Sequence, residues 1–195
     1  MIGCGALARE LLQLTAVNSL DWVTVECLPA WLHNRPERIT AAVRERIRRA
    51  RPAYGRIFVG YADCGTGGAF DRMLEGEGIG RLPGAHCYEF YAGAGVFADL
   101  QEAEPGTFYL TDYLARYFDR LVIGGLGLDR HPELLGDYFS NYRRLVYLAQ
   151  VDDPSLTRRA QAAAAALGLE FERLHTGYGE LGEVLAHLTP VGAAP

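Results

Sequence analysis

Short apolar runs alternate with longer amphipathic segments along most of this chain. A short uncharged run is typical of a strand that is buried on both faces of a parallel sheet. The runs predict strands over residues 22–28, 57–61, 107–110, 121–123, 144–149 and 169–174. Helices are predicted between them. The clearest runs from Pro36 to about Arg51, where apolar residues recur at four-residue spacing, and another runs from Pro154 to about Leu167, where Asp152-Asp153-Pro154 has the composition of a helix N-cap. This alternation predicts an α/β fold, a doubly wound and mostly parallel open sheet of the Rossmann-like or flavodoxin-like three-layer kind.

The length of 195 residues fits one domain with a full core. We expect a single α/β domain over residues 1–189 and a frayed C-terminal tail over 190–195. Gly3-Cys4-Gly5 has the composition of a strand-to-helix turn, yet Met1-Ile2 is too short to form the strand before it. This leads to the hypothesis that the native protein begins several residues earlier.

Charge and cysteine content narrow the class of protein. The net charge of −5 argues against nucleic acid or an anionic membrane as the main partner. No apolar run approaches the ~20 residues of a membrane span, and the N-terminus lacks the features of a secretion signal, so we expect a cytoplasmic protein. Four cysteines do not make a disulfide scaffold in a chain of this length and should be reduced in the cytosol.

The stretch from Tyr61 to Gly68 directly follows an apolar run, so Cys64 lies just outside the carboxyl end of a predicted strand. Open α/β sheets place their chemistry at this edge, and right-handed crossovers should bring the other strand ends to it. The side chains expected along the edge are Cys4, Cys27, His33, Cys64, His86, Cys87, Asp129, Arg130, Gln150 and His175.

These thiols and imidazoles predict a dispersed metal site. No CxxC pair is present, so the sequence carries no signal of a zinc ribbon or of a thioredoxin-like redox motif. Cys64 and Cys87, completed by His33 or His86, would supply ligands that suit Zn²⁺ or Fe²⁺. The alternative is that each cysteine is a small buried apolar side chain, which we favour for Cys27.

Carboxylates and glycines beside these residues are further candidates. Glu89 and Asp63 could act as proton carriers or as partners of the metal ligands. The turn Gly65-Thr66-Gly67-Gly68 lacks the lysine of a nucleotide-binding loop, but its backbone amides could cradle a cofactor or small anion. A serine hydrolase is disfavoured because no G-x-S-x-G motif is present.

Four segments together resemble the DUF1638 family of uncharacterised proteins. They are GCGALARE at residues 3–10, LPAWLHNRP at 28–36, YADCGTGG at 61–68 and the segment around Cys87. The resemblance covers most of the chain, and LHNRP and CGTGG are its most specific parts. The chain departs from the family pattern at His86, because that pattern has a histidine two residues before the cysteine. Members are encoded beside corrinoid-dependent methyltransferases, so the resemblance implies a place in one-carbon or methylamine metabolism.

The first functional hypothesis is a zinc or iron protein of corrinoid-linked one-carbon metabolism, with methyl transfer as its candidate reaction. The second is a non-catalytic accessory module that binds a corrinoid, a metal or a small anion for a partner methyltransferase. A third is a structural subunit whose cysteines only fill the core. The expected partners are a corrinoid protein or methyltransferase, a small-molecule ligand and a second copy of the chain. The residues leave open whether the protein turns over a substrate.

Overall fold

A computed structural model describes residues 1–189 of the chain. The predicted tail over 190–195 lies outside the described residues. The strands are β1 (Ile2–Cys4), β2 (Glu26–Leu28), β3 (Val59–Gly60), β4 (Thr107–Thr111), β5 (Arg144–Ala149) and β6 (Glu170–His175). The α-helices are α1 (Ala8–Val17), α2 (Pro36–Ala50), α3 (Ala69–Glu77), α4 (Cys87–Ala92), α5 (Ala94–Ala103), α6 (Asp112–Arg116), α7 (Leu135–Phe139), α8 (Pro154–Leu167) and α9 (Gly179–Ala186). Short 3₁₀ segments cover Gly5–Leu7, Ala30–Asn34 and Pro132–Leu134, and a π-helical turn covers Asp119–Ile123.

The predicted α/β class is confirmed, and the described strands form two parallel sheets, ordered β2-β1-β3 and β4-β5-β6. Each sheet belongs to its own compact unit. The first unit is Met1–Phe90 with the segment from Glu180 onward, and the second is Tyr91–Gly179. The single domain over residues 1–189 stays a prediction. None of the helices in the described residues is both long enough and apolar enough to span a membrane.

Helix α1 lies directly against β1 in the first unit. A Cβ atom on Gly3 would lie 2.4 Å from Cδ1 of Leu11, so a larger residue here would force the buried Leu11 side chain to shift. On α2, the apolar residues predicted at four-residue spacing, Ile39, Val43 and Ile47, are all buried. These contacts fix the position of β1, whose last residue, Cys4, enters the candidate site.

In the second unit, β5 runs between β4 and β6 and is buried from Leu145 to Ala149. Asp112, at the start of α6, closes the carboxyl end of this sheet. Its carboxylate accepts hydrogen bonds from the Tyr147 hydroxyl at 2.6 Å and from the amides of Gln150 and Val151, each at 3.1 Å. The buried carboxylate is thus held by three donors that come from β5 and the turn after it.

Three expectations from the sequence are wrong. The strand predicted over 121–123 is part of the π-helical turn, because the apolar run is helical and continues from α6 without pairing with another strand. The N-terminal strand, judged too short from Met1-Ile2, exists as β1 because it pairs with a strand on each side. The strand ends do not share one edge, because the described strands are divided between two sheets. Asp129, Arg130, Gln150 and His175 therefore lie in the second unit.

Candidate functional site

Cys4 and Tyr61 lie side by side at the carboxyl edge of the first sheet. Strands β1 and β3 pair in parallel with Gly3 opposite Gly60, so the next residues along the two strands are Cys4 and Tyr61. Neighbouring parallel strands are about 4.8 Å apart, and paired residues direct their side chains to the same face. Both residues are buried, with exposed fractions of 7% for Cys4 and 1% for Tyr61.

The loop after β3 holds Cys64 in the left-handed region, at φ 52°. This conformation costs a non-glycine residue about 1–2 kcal/mol, and such strain often accompanies a functional site. The carboxylate of Asp63 accepts hydrogen bonds from the Thr66 hydroxyl and from the Gly68 amide, the latter at 3.4 Å. Asp63 therefore closes the loop that presents Cys64.

Burial opposes the ionisation of Asp63. Hydrogen bonds from Thr66 and from the amides of Gly68 and Gly67 nevertheless lower the pKa of this carboxylate. The amides that were expected to cradle an anion thus already hold the carboxylate of Asp63. An external anion would have to compete with it, and the role predicted for Gly65, Thr66, Gly67 and Gly68 stays a prediction.

A second segment, residues 81–87, runs beside this loop. The amide of Asp63 donates to the Gly84 carbonyl at 3.2 Å, and the amide of Cys64 donates to the Ala85 carbonyl at 2.7 Å. These two bonds place the start of α4, and with it Cys87, next to the loop of Cys64. Cys87 and Cys64, 23 positions apart in the sequence, are therefore brought together by the backbone.

Arg81 and Glu89 hold this second segment in position. The Arg81 guanidinium donates to the carbonyls of Leu82 at 2.6 Å and Gly84 at 3.1 Å, and it pairs with both carboxylate oxygens of Asp71 at 2.5 and 2.9 Å. Glu89 reaches back to accept the Ala85 amide at 2.7 Å. Glu89 thus has the role of an N-terminal helix cap, which is a positioning role.

The thiols of Cys64 and Cys87 both have raised pKa values. Burial, followed by the neighbouring Cys4 thiol, raises the pKa of Cys64 to about 12. Burial raises the pKa of Cys87 as well, and the next contributions come from Cys64 and Cys4. Thiols in such surroundings are protonated near neutral pH, and a bound cation would be needed to stabilise them as thiolates.

The two imidazoles form a second group. His33 lies in the 3₁₀ segment Ala30–Asn34, and burial, assisted by the nearby His86, lowers its pKa. His86 is exposed and immediately precedes Cys87, and its ring centroid lies 6.3 Å from that of Tyr88. A histidine kept neutral in this way is in the protonation state that binds metals.

The structure therefore brings the predicted residues together as a thiol group and an imidazole group that adjoin at His86 and Cys87. No set of three Cys, His, Asp or Glu side chains in residues 1–189 is arranged to hold a metal ion as it stands. Cys27 is exposed on β2, which matches neither a ligand role nor the buried filler that the sequence favoured.

Tyr61 and Arg81 are the site residues that sequence reasoning missed. Tyr61 belongs to the stretch from Tyr61 to Gly68 described above, but a tyrosine at the end of a predicted strand is usually interpreted as part of the hydrophobic core. Arg81 is the one charged residue in the segment 78–88, GIGRLPGAHCY, and a lone arginine in such a loop was a usable signal.

The hydroxyl of Tyr61 is buried in an unusual way. It interacts with the Cys4 thiol, but outside ordinary hydrogen-bond geometry, and no other group in residues 1–189 completes a hydrogen bond to it. A buried polar group without a hydrogen bond lowers the free energy of unfolding by about 1–3 kcal/mol. Such a group in a native structure therefore calls for an explanation.

Comparison with known proteins gives a single result. No curated protein and no solved structure matches the chain. The family described as "Protein of unknown function (DUF1638)" matches residues 27–185, a range that includes His33, Cys64 and Cys87. The chain belongs to the DUF1638 family.

Proposed function

We propose that this protein binds zinc or ferrous iron through Cys64 and Cys87, with His33 or His86 completing the site. The observation that carries the proposal is the pair of backbone hydrogen bonds from Asp63 to Gly84 and from Cys64 to Ala85. They hold two cysteines from distant parts of the chain together beyond the carboxyl end of a parallel sheet, the edge at which open α/β folds bind their ligands.

The chemistry of the donors supports this choice of metals. Thiolate and imidazole ligands suit zinc and iron, whereas magnesium and calcium prefer oxygen. The thiols of Cys64 and Cys87 are half-buried, and they are poor nucleophiles as long as their pKa values stay raised. A bound metal deprotonates its thiol ligands, so it would convert this cluster into an ionised one.

We propose corrinoid-linked methyl transfer as the reaction class. Three protein ligands would leave one position of a tetrahedral metal open for a thiol or water, and the metal would supply the Lewis acidity that lowers the pKa of such a thiol. The new bond between sulfur and the methyl carbon would form as the cobalt–carbon bond of a methylated corrinoid breaks, and the corrinoid would leave with the electron pair of that bond. Asp63 and Glu89 fit this proposal as positioning residues, because their carboxylates hold the backbone on either side of the two cysteines. A fixed backbone is what keeps metal ligands in place.

Metal content tests the proposal. The full chain is purified without oxygen and without chelator, as wild type and as the Cys64→Ser, Cys87→Ser and Cys27→Ser variants. We expect near-stoichiometric zinc or iron in the wild type and in Cys27→Ser, whose cysteine is exposed on β2. We expect loss of the metal in the other two variants. Metal-free wild-type protein that also takes up no added zinc or ferrous iron would contradict the proposal.

The reaction class is tested separately on the metal-loaded protein. A methylated corrinoid and a small thiol are supplied, and methylated thiol is measured in wild type and in Cys64→Ser. Product that depends on the metal and on Cys64 supports methyl transfer. A corrinoid absorption spectrum that changes on mixing, without formation of methylated thiol, would instead support the hypothesis of a non-catalytic accessory module.

A further inference from the structure

We infer, resting on the proposed function, that the methyl acceptor of this site is an anionic thiol and that Arg35 and Arg72 select it by charge. Such an acceptor is a small molecule in which a short carbon chain joins the thiol to a carboxylate. The observation behind this is the sign of the charges that face solvent at the carboxyl edge of the first sheet, where the two candidate cysteines lie.

The exposed charges at this edge are mainly positive. Strands β1, β2 and β3 are parallel, so the segments that follow them begin at the same edge. With the segment that begins α4, they cover residues 5–10, 29–38, 61–72 and 81–89. Their exposed charged side chains are those of Arg9, Arg35, Arg38, Arg72 and Glu37. The exposed charge here therefore has the opposite sign to the net charge of the whole chain, which is −5.

The other carboxylates of these segments are held by groups within the protein. Asp71 pairs with Nε and Nη2 of Arg81 at 2.5 and 2.9 Å. Asp63 closes the loop after β3, and Glu89 caps the start of α4. Glu10 is buried, with an exposed fraction of 6%. These carboxylates are thus committed to the fold.

Arg72 and Arg35 lie beside the loop after β3, at two different points. The Nη1 atom of Arg72 lies 3.2 Å from the position that a Cβ atom on Gly68 would take. The Cβ atom of Pro36 lies 3.7 Å from the corresponding position on Gly65, and Arg35 directly precedes this proline. Neither arginine forms an ion pair within residues 1–189. Both guanidinium groups are therefore available to an anion that approaches the loop.

A carboxylate on the acceptor would pair with these guanidinium groups and position the thiol. Arginine matches the geometry of a carboxylate, and a surface of one charge sign raises the local concentration of the opposite ion. The acceptor thiol would lose its proton to solvent, its sulfur would take the methyl group, and the corrinoid would keep the electron pair of the broken bond. The carboxylate takes no part in this step, so its attraction serves binding and orientation.

Thiols of matched length test the charge preference: the anionic 3-mercaptopropionate, the neutral 2-mercaptoethanol and the cationic cysteamine. The metal-loaded full chain receives a methylated corrinoid and each thiol in turn, and kcat/KM is measured at low ionic strength. The variants are Arg72→Gln, Arg72→Lys, Arg72→Glu and the double variant Arg35→Gln with Arg72→Gln. The control is Arg48→Gln, at an exposed arginine near the other end of α2. Every protein is given the same thiols, so differences in their intrinsic reactivity cancel when preferences are compared.

We expect Arg72→Gln to reduce the preference for 3-mercaptopropionate over 2-mercaptoethanol by about two- to fivefold, the range of an exposed ion pair. The double variant should reduce it further, Arg72→Lys should keep most of it, and Arg72→Glu should shift the preference toward cysteamine. Added salt should weaken the wild-type preference, because it screens exposed charges. Arg48→Gln should behave as the wild type does.

A second measurement requires neither metal nor turnover. Trp31 is 50% exposed at the same edge, and the guanidinium carbon of Arg38 lies 5.9 Å from its ring centroid. Trp22→Phe leaves Trp31 as the only tryptophan, and its fluorescence is quenched with iodide and with caesium ion. We expect the ratio of iodide to caesium quenching to exceed that of a free tryptophan amide, and to fall in Arg35→Gln.

The outcomes separate the inference from the proposed function. Methylated product from all three thiols, with the same charge preference in wild type and Arg72→Glu, leaves the proposed reaction standing and overturns the inference. A quenching ratio no higher than that of the free amide also overturns the inference alone, because it shows that the edge is not positive. Absence of product from any thiol overturns both.

Discussion

The backbone amide of Cys64 donates a 2.7 Å hydrogen bond to the carbonyl of Ala85. This bond joins a strained loop after β3 to the segment that begins α4. Cys64 itself stands in a left-handed conformation at φ 52°, and Ala85 is held by the carboxylate of Glu89. The positions of the two predicted metal-binding cysteines therefore depend on the same backbone hydrogen bond. A substitution that disturbs this bond should affect both cysteines.

Substitution of Gly84 by alanine tests this dependence. Gly84 has φ +87°, and a Cβ atom there would lie 2.9 Å from the Glu89 Oε2 atom that accepts the Ala85 amide. A non-glycine residue in so sparsely populated a conformation costs about 1–3 kcal/mol, so the free energy of unfolding should fall by that amount. Chemical denaturation of the metal-free protein measures it, and metal affinity should fall in parallel.

Gly76→Ala is the matched control for Gly84→Ala. Gly76 lies within α3, and a Cβ atom there would meet nothing within 4 Å. Alanine in place of a helical glycine should raise the free energy of unfolding by about 0.5–1 kcal/mol. Equal destabilisation by the two substitutions would show that the Gly84 turn has no special role.

The left-handed backbone at Cys64 predicts that a side chain at this position lowers the free energy of unfolding, and that the cysteine has a chemical role. Cys64→Gly should be more stable than Cys64→Ala by about 1 kcal/mol, because glycine adopts the left-handed region without the cost that a Cβ atom imposes. Both variants should lose the metal. Thermal and chemical denaturation check the order of stability, and a Cys64→Ala variant as stable as Cys64→Gly would argue against strain at this position.

The carboxylate of Asp63 predicts a dependence of stability on pH. Its pKa in the folded chain lies below the usual value of 3.8, so the ionised form is favoured by folding. The stability it contributes should be complete above the usual pKa and should be lost as the pH falls through the lower, folded value. Thr66→Val removes the hydroxyl that helps to lower the pKa, and should weaken this acid sensitivity.

Acid titration followed by circular dichroism measures the effect of Thr66→Val. Thr66→Ser keeps a hydroxyl at the same place and serves as the control, which should titrate like the wild type. Identical acid unfolding of the valine and serine variants would mean that Asp63 does not depend on this hydrogen bond.

In the second unit, the hydrogen bond from Tyr147 to Asp112 should contribute strongly to stability. The hydroxyl donates to a buried carboxylate at 2.6 Å, and hydrogen bonds to charged groups contribute about 1.5–3 kcal/mol. Tyr147→Phe should lower the free energy of unfolding by roughly this amount, measured by denaturation. Tyr138→Phe, at a side chain that is 45% exposed, should change it by less than about 0.5 kcal/mol.

Local patterns in the sequence were sufficient for several elements. Helix α8 (Pro154–Leu167) and strand β5 (Arg144–Ala149) have the predicted bounds. Their signals are local: a proline and an aspartate cap at the start of the helix, and an uninterrupted apolar run in the strand. The strand predicted over 121–123 was wrong, because three apolar residues do not distinguish a strand from a buried helical turn.

The sequence by itself determined the α/β class and identified Cys64, Cys87 and the two histidines as candidates, since strand ends and glycine turns are visible along the chain. Only the tertiary structure decided which strand ends meet. The pairing of the strands into two sheets assigned His175 to the second unit, and the register of β1 with β3 placed Cys4 beside Tyr61. Pairing of this kind joins residues far apart in the chain through backbone hydrogen bonds, and no local pattern of side chains specifies it.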